Sequence, residues 1–256
     1  MNLTVLGGSA AGPNTGAGTA GFLLTHGDTS LIIDFGPGNM LELRKHFDFR
    51  TVTAILISHY HFDHMGDLAA YRYSLAYNPV PADRKPALLM PPGSLSRLSL
   101  LSEALGHEPG LDFFARYFDV AEYDPSAGIM FPGIQVTMAP TVHDVQGWAM
   151  RFVDDAGRSL GYTADTGPAA ELAGHFRNVN LLISEATEAA AEDDGDPRRG
   201  HLRAVEAGQL ATDAKARALM LTHMWEEDDR RAILALAATR FDGPIIDARP
   251  GTRVQI

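Results

Sequence analysis

Six residues in the first quarter of the chain decide the fold: His59-Tyr60-His61-Phe62-Asp63-His64. They follow the run Ala54-Ile55-Leu56-Ile57-Ser58, which is typical of a buried strand. In an extended chain, residues i and i+2 point the same way, so His59 and His61 are placed to bind one metal ion. Asp63 and His64, beyond a turn, are free to face a second ion. The stretch therefore predicts a metal site where a strand opens into a loop.

The composition restricts the ligands that such a site can use. The chain has 256 residues and no cysteine, so nitrogen and oxygen ligands must come from histidine and carboxylate side chains. Those ligands suit zinc first, with manganese and iron as alternatives. A hydrophobic content of 45% is ordinary for a globular protein, and the length fits one large domain or one domain, residues 1–256, made of two similar halves.

Charge and hydropathy narrow the function classes. A net charge of -11 and a pI near 5.3 count against a protein that follows a long nucleic-acid backbone. No run approaches about 18 consecutive apolar residues, so no membrane span is predicted. The chain begins in a strand-like run rather than a leader, and we expect a cytoplasmic protein.

Other predicted strands also end in metal-competent side chains. The strand pattern at residues 134–139 precedes His143, that at Ser159–Tyr162 precedes Asp165, and that at residues 218–222 precedes His223. A helix is predicted between the last two of these strands, over residues 169–176. If the strand ends share one edge, a single site gathers seven candidate metal ligands: His59, His61, Asp63, His64, His143, Asp165 and His223.

Seven ligands are too many for one tetrahedral ion but fit two divalent ions that share a carboxylate. We assign His59, His61 and His143 to the first ion and Asp63, His64 and His223 to the second. Asp165 then bridges the two ions. Two such ions lower the pKa of a shared water toward neutrality, which makes hydroxide available as a nucleophile.

The chain resembles the metallo-β-lactamase superfamily in the H-x-H-x-D-H motif of residues 59–64 and in the order of the later His143, Asp165 and His223. The match extends across essentially the whole chain. The resemblance implies an α/β fold, a four-layer αββα sandwich with two mixed β-sheets and a dinuclear site at the sheet edges. It also implies a hydrolase and, because dimers are common in the superfamily, a homodimer.

Two later segments resemble the ribonuclease Z group. Ser184-Glu185-Ala186-Thr187 is similar to its H-E-A-T motif, and Gly200-His201-Leu202-Arg203 is similar to its G-H-S-T loop. By resemblance, His201 is the general acid and Glu185 its orienting partner; we count Asp63 as catalytic too. A histidine held by a carboxylate suits phosphodiester cleavage, because the leaving alkoxide needs a proton near neutral pH.

The sequence departs from ribonuclease Z in ways that bear on the substrate. Only 21 residues separate His143 from Asp165, where the ribonuclease carries its tRNA-gripping arm. Ser184 replaces the motif histidine. A small phosphodiester fits better, and the chain resembles bacterial phosphodiesterases of this superfamily that act on cyclic nucleotides such as 3′,5′-cyclic AMP. The alternatives are a lactonase or other ester hydrolase, and a ribonuclease Z-like endonuclease.

The sequence leaves two interpretations for three further residues and gives a supporting role to a fourth. Arg198 and Arg199 either hold a phosphate or lie on a solvated loop. Trp225 either stacks on a base or packs in the core. Asp34, at the end of an apolar strand, is placed to accept a hydrogen bond from a ligand imidazole.

Overall fold

The computed structural model describes residues 1–168, 170–188 and 199–256. The strands are β1 Asn2–Gly7, β2 Gly21–His26, β3 Thr29–Phe35, β4 Ala54–Leu56, β5 Ala87–Met90, β6 Asp119–Glu122, β7 Ile129–Phe131, β8 Ile134–Pro140, β9 Trp148–Asp154, β10 Ser159–Tyr162, β11 Leu181–Glu185, β12 Leu219–Thr222, β13 Ile245–Asp247 and β14 Arg253–Gln255. The helices are α1 Asn39–His46, α2 Phe62–Met65, α3 Asp67–Tyr77, α4 Ser94–Ala104, α5 Asp112–Ala115, α6 Ala204–Asp213 and α7 Arg230–Ala238, with a 3-10 turn at Phe49–Thr51.

The strands form two mixed sheets. The order in the first is β14-β1-β2-β3-β4-β5-β6, and in the second it is β13-β12-β11-β10-β9-β8-β7. From β3 to β6 the first sheet is parallel and its remaining pairs are antiparallel. The second sheet is parallel from β10 to β13 and antiparallel from β7 to β10. The two sheets therefore share one plan of strand pairing.

Three apolar clusters separate the layers. Alternate residues of β3 show how, because successive side chains in a strand point to opposite faces. Leu31 and Ile33 pack between the two sheets, whereas Ile32 packs outward beneath α1, α3, α4 and α5. On the second sheet, Leu182 packs outward beneath α6 and α7. The resulting order of helices, sheet, sheet and helices confirms the predicted αββα sandwich with two mixed sheets.

Several predicted elements differ from those in the structure. The helix predicted over residues 169–176 is wrong for its described part, in which residues 170–172 are irregular and residues 173–176 form a turn; residue 169 lies outside the described residues. Pro168 precedes this part and Gly174 lies within it, and both residue types disfavour a continuous helix. The short elements α2, α5 and β7 were not predicted, because three or four residues carry no periodic pattern.

The strand ends do meet at one edge. In the first sheet, parallel β3 and β4 bring Asp34 and Ser58 together, and the Asp34 carboxylate accepts hydrogen bonds from both the backbone and side chain of Ser58. In the second sheet, the ends of parallel β10, β11 and β12 lie side by side. Within the described residues, no helix is long and apolar enough to span a membrane.

Candidate metal centre

Three histidines and one aspartate form the first group of converging side chains. His61 Nδ1 lies 3.2 Å from His59 Nε2 and 2.9 Å from His143 Nε2. Asp165 Oδ2 lies 3.7 Å from both of those Nε2 atoms. The group thus consists of the three histidines that the sequence assigned to the first ion, together with the shared aspartate.

Two aspartates and two histidines form the second group. Asp63 Oδ2 lies 3.3 Å from His64 Nε2 and 3.0 Å from His223 Nε2. Asp165 Oδ2 lies 3.2 Å and 3.4 Å from the same two nitrogens. The same oxygen of Asp165 therefore belongs to both groups, and the bridging role predicted for this residue stays a prediction.

These distances fit two tetrahedral ions. Metal–ligand bonds of about 2.0–2.1 Å place the ligand atoms of a tetrahedron about 3.3 Å apart. The atoms of each group can hold an ion in this way. His64 Nε2 supports this fit because it is fully buried and has no hydrogen-bond partner among the described residues, although it faces two carboxylate oxygens. A cation placed between these atoms satisfies them, whereas the protein alone does not.

The outer nitrogens of the ligand imidazoles are fixed by hydrogen bonds. His143 Nδ1 donates to the carbonyl of Gly200 at 2.9 Å, so its Nε2 carries the lone pair that faces the site. His64 Nδ1 lies 2.7 Å from Asp34 Oδ2, and His59 Nδ1 lies 3.0 Å from Ser58 Oγ. Such contacts orient metal-binding imidazoles and make them more basic.

Asp34 organises both groups from beneath. Its Oδ2 accepts from Ser58 Oγ, His64 Nδ1 and Tyr162 Oη, each at 2.7 Å, while its Oδ1 accepts from the Ser58 backbone N–H. The residue is fully buried and has a φ of 53°, in the left-handed region that non-glycine residues rarely adopt. His223 also has a positive φ, 58°. Backbone strain of this kind is characteristic of functional sites.

The electrostatics of the cluster favour cations. Burial and the charge of His64 hold the pKa of His59 well below its ordinary value, so its imidazole is neutral. Burial raises the pKa of Asp165, but His223 and His64 outweigh it and hold that pKa well below its usual range. Burial lowers the pKa of His64, but the charges of Asp165 and Asp34 raise it well above normal. The raised pKa of His64 shows that the buried carboxylates favour positive charge at this position, which bound cations would supply.

Close backbone packing holds α2 in place. Thr19 Oγ1 donates to the carbonyl of Asp63 at 2.6 Å. A Cβ on Gly36 would lie 1.7 Å from that same carbonyl oxygen and 2.0 Å from Thr19 Oγ1. Only glycine at position 36 lets β3 approach α2 this closely, and that approach fixes where Asp63 and His64 stand.

Glu185 and His201 form the pair that the sequence predicted. His201 Nδ1 lies 3.1 Å from each oxygen of the buried Glu185 carboxylate. The His201 ring lies 4.8 Å from that of His143 and 5.6 Å from that of His223, so it borders both groups. Burial lowers the pKa of His201, but the hydrogen bond and charge of Glu185 raise it to about 9.

The three residues whose function the sequence left open lie outside the two ligand groups or outside the described residues. Arg198 lies outside the described residues. Arg199 forms ion pairs with Glu188 and Glu206. Trp225 is 37% exposed and covers Gly12, where an added Cβ would lie 3.5 Å from the indole ring.

Sequence reasoning gave no role to two residues that touch the centre. Tyr162 donates to Asp34, as described above, from the end of β10. Thr187 Oγ1 lies 2.6 Å from His223 Nδ1 and donates to Glu185 at 2.7 Å. Thr187 is the last residue of the Ser184–Thr187 motif, so the motif itself was the available clue.

Comparison with known proteins identifies the family. Residues 1–224 match the model of the Anti-Pycsar protein Apyc1 family. An uncharacterized protein of Mycobacterium tuberculosis, Rv1339, is 33% identical over 248 residues, which is 96% of this chain and 88% of the relative. The probable metallo-hydrolase YhfI of Bacillus subtilis is 26% identical over 256 residues, 98% of each chain.

Two further similarities concern the fold and the relation to ribonuclease Z. The crystal structure of YhfI, a metallo-β-lactamase fold protein, superposes with a TM-score of 0.85 at 24% identity, covering 99% of this chain and 98% of that one. Ribonuclease Z of Haloferax volcanii is 26% identical over 305 aligned positions, covering 100% of this chain and 95% of the ribonuclease. The chain therefore belongs to the Anti-Pycsar protein Apyc1 family and is a metallo-hydrolase with the metallo-β-lactamase fold, related to ribonuclease Z.

Proposed function

We propose that this metallo-hydrolase is a dinuclear phosphodiesterase that cleaves small phosphodiesters, above all cyclic nucleotides of the 3′,5′-cyclic AMP type. The observation that carries the proposal is the Glu185–His201 pair, held at 3.1 Å beside two ligand groups that share Asp165. Membership of the Anti-Pycsar Apyc1 family, which is associated with the degradation of cyclic nucleotides, supports the same substrate class.

The proposed ligands are the seven residues of the two groups. His59, His61 and His143 hold the first ion, Asp63, His64 and His223 hold the second, and Asp165 is shared. Two divalent ions bound there, zinc by preference and manganese or iron as alternatives, would supply a nucleophilic hydroxide and neutralise phosphoryl charge. The donor set of imidazoles and carboxylates suits all three metals.

The protein's own part in the reaction is to position groups and to move one proton. Asp63, held between two imidazoles, accepts a hydrogen bond from the attacking hydroxide and orients it toward phosphorus. A new phosphorus–oxygen bond forms as the bond to the ribose oxygen breaks. The proton that the leaving oxygen needs comes from the imidazolium of His201, which Glu185 orients and keeps charged.

The short connection between His143 and Asp165 argues for a small substrate. It consists of β9 and β10 joined by a turn, and these strands pair directly within the second sheet. The alignment with the ribonuclease spans 305 positions, whereas this chain has 256 residues, so the ribonuclease carries segments that this chain lacks. Together with the net charge of -11, this disfavours transfer RNA. The homodimer stays a prediction.

A substrate panel tests the proposal. The purified chain, loaded in turn with zinc, manganese or iron, is assayed against cyclic AMP, bis-p-nitrophenyl phosphate and a homoserine lactone. The Asp165→Asn variant, which removes the charge of the shared carboxylate, serves as the inactive reference. We expect both phosphodiesters to be hydrolysed and the lactone to be left intact. Turnover of the lactone without turnover of either phosphodiester would overturn the proposal.

A further inference from the structure

Glu185 is linked to the metal centre through Thr187, in addition to its contact with the general acid. One of its oxygens accepts the hydroxyl hydrogen of Thr187 at 2.7 Å, and both lie 3.1 Å from His201 Nδ1. The hydroxyl oxygen of Thr187 in turn lies 2.6 Å from His223 Nδ1. A chain of hydrogen bonds therefore runs from His223 through Thr187 to the carboxylate that holds His201.

The chemistry of the partners sets the direction of each hydrogen bond. An ionised carboxylate only accepts, so the Thr187 hydroxyl must donate to Glu185. The threonine oxygen is then left to accept, and His223 must donate to it from Nδ1. With Nδ1 donating to Thr187, a cation held between His223 and the two aspartates would be bound by the Nε2 lone pair of His223. Its Nε2 atom lies 3.0 Å from Asp63 Oδ2 and 3.4 Å from Asp165 Oδ2, the other two side chains of that group that face it.

Other contacts hold Glu185, at the far end of this series of hydrogen bonds. Glu185 is buried, and its side chain also accepts from the backbone N–H of Thr166, directly after Asp165. Its own backbone N–H donates to Thr163 Oγ1 at 3.2 Å. The carboxylate is therefore anchored independently of Thr187, and it can serve as the fixed point from which Thr187 orients His223.

We propose that Thr187 is a positioning residue that fixes His223 as an Nε2 ligand of the second ion and links that ligand to the Glu185–His201 pair. The part concerning His201 rests on the proposed function. The part concerning His223 rests only on the hydrogen bonds above. Loss of such an outer contact typically weakens metal binding by about 10- to 100-fold.

The test compares two variants that differ in a single group. Thr187→Val keeps the shape of the side chain and replaces the hydroxyl by a methyl group, whereas Thr187→Ser keeps the hydroxyl. Thr29→Val is the matched control: Thr29 is buried at the start of β3, where its hydroxyl donates to the Pro132 carbonyl at 2.8 Å, far along the strand from the site. Metal affinity is measured by competition with a chromophoric chelator, without substrate, together with the unfolding temperature of each variant.

We expect Thr187→Val to weaken binding of the second ion by about 10- to 100-fold, while the affinity for the first ion is unchanged. Thr187→Ser and Thr29→Val should bind both ions as the wild type does. Wild-type affinity for both ions in a folded Thr187→Val protein would overturn the inference. If Thr187→Val does not fold, Thr187→Ala, which adds no volume, gives the same comparison.

Because this readout needs no substrate, its failure is distinct from a failure of the proposed phosphodiesterase activity. A second readout concerns the leaving group. Thr187→Val should lower the turnover of cyclic AMP and of bis-p-nitrophenyl phosphate by the same factor, since His201 keeps its contact with Glu185. A loss confined to cyclic AMP would place Thr187 with the general acid rather than with the second ion and would contradict the inference.

Discussion

Replacement of His201 by alanine should separate poor leaving groups from good ones. Glu185 raises the pKa of His201 to about 9 before any effect of bound cations, which favours the protonated form that can donate a proton at pH 7. A positioned general acid contributes about 10²- to 10⁴-fold in rate, or about 3–5 kcal/mol of transition-state stabilisation. We therefore expect cyclic AMP turnover by His201→Ala to fall by about that factor. Bis-p-nitrophenyl phosphate should lose less than about tenfold, because nitrophenolate leaves without a proton.

The assay measures steady-state rates for both esters at fixed metal occupancy, with metal content determined for each sample. His107→Ala is the matched control, since His107 is an exposed histidine outside the described site. The wild-type rate on cyclic AMP should decline as pH rises through the pKa of His201, and the variant should lack that decline. Cations at the neighbouring sites lower this pKa, so the decline should begin below pH 9. Equal losses on both esters would refute the role of His201 as the acid.

Three further predictions concern the surroundings of the site. Glu185→Gln removes the charge that raises the pKa of His201, so the alkaline decline in cyclic AMP turnover should move to lower pH; an unmoved profile would contradict the pairing. Metal ions at a free concentration of about 1,000 times the Kd of a site stabilise the folded chain by about 4 kcal/mol per site. Removing them with a chelator should therefore lower the unfolding temperature by about 8–16 °C per site. An unchanged temperature in differential scanning fluorimetry would contradict a bound metal. Gly36→Ala should destabilise the chain by about 1–3 kcal/mol in denaturant titrations, because its Cβ would overlap the Asp63 carbonyl. Gly174→Ala, with open space around the added Cβ, should have little effect.

Much of the site was predictable because its ligands follow the ends of apolar strands. The strand at residues 54–56 and the motif at residues 59–64 are local in sequence, and parallel strands bring their carboxyl ends to one edge. His143, Asp165 and His223 could be assigned to the same edge for that reason. The division into two groups that share Asp165 followed from counting ligands against tetrahedral ions.

The contacts that hold those ligands were harder to predict. The hydrogen bond between Tyr162 and Asp34 joins residues 128 positions apart in different sheets, and no local pattern encodes it. Thr187 was visible within a motif, but its contact with His223 depends on the register between β11 and β12. The apolar residues at 170–176 favoured a helix in the sequence. In the structure they pack against the second sheet from irregular backbone and turns, which need no helical periodicity.

A metal titration with cyclic AMP turnover as the readout tests the central claim most directly. Metal-free protein is supplied with zinc or manganese in fractions of an equivalent, and the initial rate is recorded at each step. We expect the rate to rise until two ions are bound per chain and then to stay constant. A plateau at one ion per chain, or no turnover of cyclic AMP at any occupancy, would contradict it.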